Sequence, residues 1–204
     1  MIIFNRKIIF AICFFIFVGV GFIILSYLKD YEIYPYNESL TISLKEFEKK
    51  VVQKEQCLIK IEERVVRGNS LQGLVEDGQI VKVFLNYYDC HKIQRNDLVL
   101  YSFAGRKTPL IKIVRGIPGD KLNLQQTTGG WHILINNKIL KNSQDIPYLI
   151  FGQGYKMLTL YEDKIPSGAY LILSNLPGGA MDSTRFGLIG REGILGKAIK
   201  KIRE

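Results

Sequence analysis

The sequence predicts a mainly β domain, an antiparallel sheet folded into a barrel-like shape, behind one N-terminal transmembrane helix. Two observations carry this reading. One is an uncharged run from Ile8 to Leu28; the other is a succession of short β-branched or aromatic runs, punctuated by turn residues, through the remainder of the chain. An apolar content of 47 % supplies a core and argues against global disorder.

In chain order, residues 1–7 carry Arg6 and Lys7 just before the apolar run, whereas Lys29 on its far side is offset by Asp30 and Glu32. This asymmetry places residues 1–7 in the cytoplasm, residues 8–28 across the membrane and the remainder outside. A cleaved secretory leader would have an apolar stretch of about 7–15 residues ending in small side chains. This run is longer and is followed by Ser-Tyr-Leu-Lys-Asp, so it reads as an uncleaved anchor.

Residues 29–60 form a juxtamembrane linker with Tyr31, Tyr34 and Tyr36, rings suited to a membrane interface. Ser43 with Glu46 makes a capping box that predicts a short helix over 44–55. Residues 61–204 make the β-rich domain. Its strands are predicted at Leu58–Val66, Gln79–Leu85, Leu98–Phe103, Leu110–Val114, Trp131–Ile135, Met157–Tyr161 and Tyr170–Leu173, with a hairpin closed by Asn136-Asn137.

The net charge of +9 is spread among acidic residues and no nucleic-acid-binding motif accompanies it. The charge reads as a solvated surface facing an anionic bilayer. Cys13 falls in the apolar run; Cys57 and Cys90 either pair in an oxidising compartment or remain buried thiols. His91 and His132 have no ligand-spaced neighbour and read as packing or surface residues. No metal or cofactor is expected. Asn37-Glu38-Ser39 is a glycosylation sequon, relevant only in a eukaryotic secretory setting.

Three segments carry candidate chemistry. In Arg67-Gly68-Asn69-Ser70-Leu71-Gln72-Gly73, a serine lies between two glycines. Such a bend can present a hydroxyl and leave backbone N–H groups free for an oxyanion; a serine beside glycine is also the ordinary composition of a turn. In Leu110-Ile-Lys112-Ile-Val-Arg-Gly116-Ile-Pro-Gly-Asp120, a lysine sits within an apolar strand. It either snorkels to water from an edge or is buried and loses its charge. Lowering a lysine pKa from about 10.4 to the 7–8 range costs about 4 kcal/mol, which makes sense where a neutral amine must take a proton. The third segment, Ser174 to Gly187, runs from a strand into a Pro-Gly-Gly loop and the polar cluster Asp182-Ser183-Thr184-Arg185. By itself it reads as a loop in which Asp182 accepts backbone N–H groups.

Taken together, the three segments resemble the boxes of the type I signal peptidase family: a serine box, a lysine strand ending in Gly-Ile-Pro-Gly-Asp120, and Asp182-Ser183 before Phe186-Gly187, with Gly193-Ile-Leu-Gly196-Lys197 following. The resemblance covers the anchor, roughly 62–120 and roughly 165–200. It implies a membrane-bound serine endopeptidase that removes signal peptides from exported precursors by a Ser70–Lys112 dyad. Gly68, Asn69 and the Ser70 N–H would serve the oxyanion, with Asp182, Ser183 and Arg185 in support. It further implies a catalytic domain on the outer face of the cytoplasmic membrane, with precursor proteins and the lipid bilayer as partners. The sequence departs from the family at Gly73, where proline is usual, at Gly68, where a hydroxyl is common, and at Ala180, a frequent serine. Thr184 holds the usual arginine position, and Ser174-Asn175-Leu176 replaces Gly-Asp-Asn. These departures point to a specialised branch, such as a maturation protease of a secretion or conjugation system. The alternative is a catalytically silent scaffold that only binds precursors.

Overall fold

The computed structural model describes residues 58–103, 108–178 and 180–201. The predicted anchor at 8–28, the helix at 44–55, Cys13, Cys57 and the sequon lie outside these residues. Among the described residues, no helix is long and apolar enough to cross a membrane.

Eleven strands are described, all paired antiparallel. They are β1 (Lys60–Val65), β2 (Ile80–Leu85), β3 (Leu98–Tyr101), β4 (Leu110–Gly116), β5 (Leu122–Thr127), β6 (Gly130–Ile135), β7 (Lys138–Ile139), β8 (Leu149–Ile150), β9 (Ala169–Leu173), β10 (Ile189–Gly190) and β11 (Ile194–Lys200). Two short helices, α1 (Gly152–Thr159) and α2 (Ser183–Phe186), lie between them. Seven strands form one sheet in the order β1-β2-β11-β3-β4-β9-β10; β5, β6 and β7 form a second, in which β8 also pairs with β6.

The barrel-like closure expected from the sequence does not occur. The larger sheet is open, with β1 and β10 at its edges. β10 is only two residues long and its ladder with β9 holds two residue pairs, so it offers too little edge for β1 to close upon.

Alternation along β3 sorts the core. Leu98 and Leu100 join Val81, Val83, Ile113 and Ala198 on one face, covered by Leu71, Leu74 and Val75 from the β1–β2 connection. Val99 joins Val114, Ile172 and Ile194 in a separate cluster. A third cluster joins the sheets, with Leu171 and Leu173 of β9 buried among Leu122, Ile133, Ile135 and Leu158.

One strand expectation needs correction, and four strands, β5, β8, β10 and β11, were not predicted. Met157–Tyr161 is not a strand, because most of it lies in α1. Leu158, fully buried, fills the inter-sheet cluster while Gly154 lets the helix approach Ile150 and the Thr184 carbonyl, which a Cβ there would meet at 3.2 and 3.4 Å. A short apolar run does not by itself separate strand from buried helix. β5 was not expected at all. Its Leu-Asn-Leu-Gln-Gln-Thr buries only Leu122 fully, so its polar half hides the period. The Asn136-Asn137 hairpin is present, with both residues at positive φ (52° and 66°) as a tight two-residue turn requires.

His91 stacks on Tyr87 with ring centroids 4.0 Å apart, and a His132 ring nitrogen lies 3.3 Å from the Tyr148 carbonyl; both are packing residues. Cys90 is disulfide-bonded.

Candidate active site

Ser70 lies on the connection between β1 and β2. The base of this loop is zipped by Val66 N–H to the Gln79 carbonyl (2.8 Å), Gly78 N–H to the Val66 carbonyl (2.9 Å) and Gly68 N–H to Asp77 Oδ1 (2.7 Å). A single turn follows, in which the amides of Leu74 and Val75 both donate to the Leu71 carbonyl. Leu71, Leu74 and Val75 pin that turn to the sheet and leave Ser70 half-buried above them. The backbone conformation comes from glycine: Gly68 and Gly73 have φ of +85° and +86°, a region costly for other residues.

Lys112 comes from β4. It lies opposite Val99 of β3, which lies opposite Lys197 of β11. Lys197 is itself paired with Asp97 at 2.6 Å. Lys112 is 3 % exposed, so it is the buried lysine and not the snorkelling one. Its Nζ is 2.9 Å from Ser70 Oγ and 3.0 Å from the Ile111 carbonyl. Two residues 42 positions apart are thus within proton-transfer distance. Among the described residues, the Ser70 N–H donates to no acceptor.

The supporting residues expected from the sequence are spread more widely. Asn69 is exposed and its carbonyl accepts from the Gln72 amide, while the Gly68 amide is committed to Asp77. Asp182, 3 % exposed, caps α2 by accepting from the Thr184 amide and hydroxyl, and its other oxygen accepts from the Ser174 amide and hydroxyl. Ser183 Oγ accepts from the Ile172 amide. Both residues therefore hold β9, one strand over from the lysine strand. Arg185 is exposed and lines a cleft of about 240 Å³ with Phe151, Gly154, Gly178 and Thr184, a cleft that neither Ser70 nor Lys112 lines.

Sequence reasoning missed Asn175. Its amide donates to the Ser70 carbonyl (2.7 Å) and its side chain to the Gln72 carbonyl (2.7 Å). The available signal was a Ser-Asn pair ending an apolar strand, where both residues turn out to be 1 % exposed or less.

Asp120 ends the Gly-Ile-Pro-Gly-Asp corner between β4 and β5. It accepts from the Ile117 amide (2.8 Å), Arg95 (2.7 Å) and Asn136 (2.9 Å). Burial alone would push its carboxyl up, but the Arg95 guanidinium, the Ile117 amide and Asn136 outweigh that and hold it below the usual carboxylate value.

Residues 6–202 match a family model described as signal peptidase, peptidase S26. Signal peptidase IB of Staphylococcus aureus (strain Mu50 / ATCC 700699) is 29 % identical over 147 residues, 65 % of this chain and 72 % of that protein. Signal peptidase I of Bacillus caldolyticus is 28 % identical over 140 residues, 65 % of this chain and 74 % of that protein. A solved signal peptidase I from Enterococcus faecalis V583 is similar at 19 % identity and a TM-score of 0.40, over 52 % of this chain and 97 % of that one.

Proposed function

This chain belongs to the peptidase S26 family of signal peptidases and is a serine peptidase that hydrolyses peptide bonds; from that premise we propose that it removes signal peptides from exported precursors through a Ser70–Lys112 dyad. The observation that carries this reading is the 2.9 Å approach of Lys112 Nζ to Ser70 Oγ, with the lysine 3 % exposed. Burial at that depth works against the charged ammonium, and the uncharged amine is the form able to accept a proton.

Ser70 Oγ attacks the scissile carbonyl carbon while its proton passes to Lys112 Nζ. The negative charge that develops on the carbonyl oxygen is met by the Ser70 N–H. As the intermediate collapses, the C–N bond breaks and the Lys112 ammonium returns its proton to the departing amine. Water then attacks the acyl-serine, giving a proton to Lys112; the ester bond to Ser70 breaks as Lys112 returns that proton to Ser70 Oγ, and the leader departs with a carboxyl group that ionises in water. Asp182 and Ser183 act at a distance by fixing β9 beside β4.

Residues 8–28 would anchor the chain in the cytoplasmic membrane with residues 61–204 on the outer side, where a translocated precursor presents its cleavage site. Substrates would carry small residues before the cut. The departures at Gly68, Gly73 and Ala180 favour a dedicated precursor, such as one handled by a secretion or conjugation system.

The test is processing of a purified precursor, with an intact leader ending in Ala-x-Ala, by the full chain in detergent. Ser70→Ala and Lys112→Ala should each lower kcat by about a thousandfold or more while circular dichroism stays native. A Lys112→Ala enzyme that keeps most of its rate would remove the lysine from its role. A wild-type chain that binds precursors and cleaves none would point to the scaffold.

A further inference from the structure

Among the described residues, the loop that carries Ser70 is joined to the rest of the fold by few polar bonds. Among the described residues, those reaching it from beyond its own β1–β2 connection come from Lys112 and Asn175. The Asn175 amide holds the Ser70 carbonyl at 2.7 Å, and Asn175 Nδ2 holds the Gln72 carbonyl at 2.7 Å. The loop is therefore gripped at the serine and again two residues later.

Asn175 is itself braced. Its Nδ2 also donates to Ser143 Oγ (2.7 Å), its Oδ1 accepts from the Ser143 amide (3.0 Å), and its carbonyl accepts from Asn142 Nδ2 (3.0 Å). Asn142, 5 % exposed, closes a turn between β7 and β8 by accepting from the amides of Gln144 and Ile146. Both N–H donors and the oxygen of the Asn175 side chain are thus engaged, and the residue is 1 % exposed. The loop closes on this bracket at a glycine: a Cβ at Gly73 would stand 3.3 Å from Asn175 Nδ2 and 3.4 Å from Ser143 Oγ.

We propose that Asn175, braced by the Asn142–Ser143 turn of the second sheet, is a positioning residue that sets Ser70 against Lys112. The inference rests on the dyad reading above. Attack requires near-contact geometry, and misplacement by about 1 Å costs about a hundredfold in rate. The four-stranded sheet contributes to the dyad in this way without supplying a reacting group.

The experiment compares the full-length wild type with Asn175→Ala, Ser143→Ala, Ser143→Thr and Ser70→Ala in detergent on the same Ala-x-Ala precursor. It reads kcat, KM, near-ultraviolet circular dichroism and the thermal midpoint. Asn175→Ala should lower kcat by about tenfold to a hundredfold with KM within about twofold. Ser143→Ala should lower kcat by about three- to tenfold, and Ser143→Thr, which keeps the hydroxyl, should restore it. Wild-type kcat in both alanine variants overturns the proposal, as does a rate loss that only tracks the folded fraction. If Asn175→Ala does not fold, the Ser143 pair decides by the same criterion. A precursor still cut by Ser70→Ala removes the dyad reading, and the clamp with it. An inactive Ser70→Ala beside a fully active Asn175→Ala overturns the clamp alone.

Discussion

Gly73 shows how one residue changes meaning between sequence and structure. It stands where proline is usual in the family, and from the sequence that reads as a loosened loop. Its φ of +86° is a value proline cannot adopt, and the space beside it is taken by Asn175, Ser143 and Gln144. The loop has exchanged a rigid ring for a polar bracket. Gly73→Ala should therefore cost about 1–2 kcal/mol, read as a lower midpoint in urea unfolding with an unchanged slope. An alanine variant as stable as wild type would show that the loop relaxes freely around that position. Ser70 and Lys112 were picked out in the sequence by the resemblance of three segments to the family's boxes; alone, a serine beside glycine reads as an ordinary turn and a lysine in a strand as one that snorkels. Asn175 was not, because an asparagine after a strand is ordinary until its partners at 70, 72, 142 and 143 are known.

Among the elements, the corner between β4 and β5 joins the lysine strand to the second sheet. Asp120 is its hub, binding Arg95, Asn136 and the Ile117 amide. A carboxyl held below its ordinary value in the folded state stabilises the fold at pH above the unfolded value near 3.9; that contribution disappears as pH falls through the lower folded value. Asp120→Asn should accordingly melt below wild type at neutral pH, with the gap closing as pH drops below about 4. Thermal midpoints of both proteins across that range provide the check, and a gap of constant size would mean that Asp120 acts through shape and not charge. The Gly-Ile-Pro-Gly-Asp motif was readable, but its anchoring partners Arg95 and Asn136 lie 25 and 16 residues away. The helix at Gly152–Thr159 escaped for a related reason. Its apolar run suits either period, and the inter-sheet space that Leu158 fills exists only in the folded chain.

For the whole molecule, the strand order sets the lysine of the proposed dyad away from the edges of the larger sheet. β11, β3 and β4 each have a strand on both sides, and Lys112 stands on β4 within that block. β1 and β10 are edges with one neighbour each. Native-state hydrogen exchange should find the slowest amides in β11, β3 and β4 and much faster ones in β10; equal protection at centre and edge would contradict the open sheet. By itself the sequence determined a mainly β class, the hairpin at Asn136-Asn137 and the strands β1, β2, β3, β4, β6 and β9. These follow from local periodicity and from turn chemistry, whereas the serine and lysine stood out only through the family resemblance. Tertiary structure alone decided that the sheet stays open, that 152–159 is helical, and that Asn175 and Ser143 meet the serine loop. Each of those depends on contacts between residues distant along the chain, and no local pattern encodes which distant surfaces will be buried together.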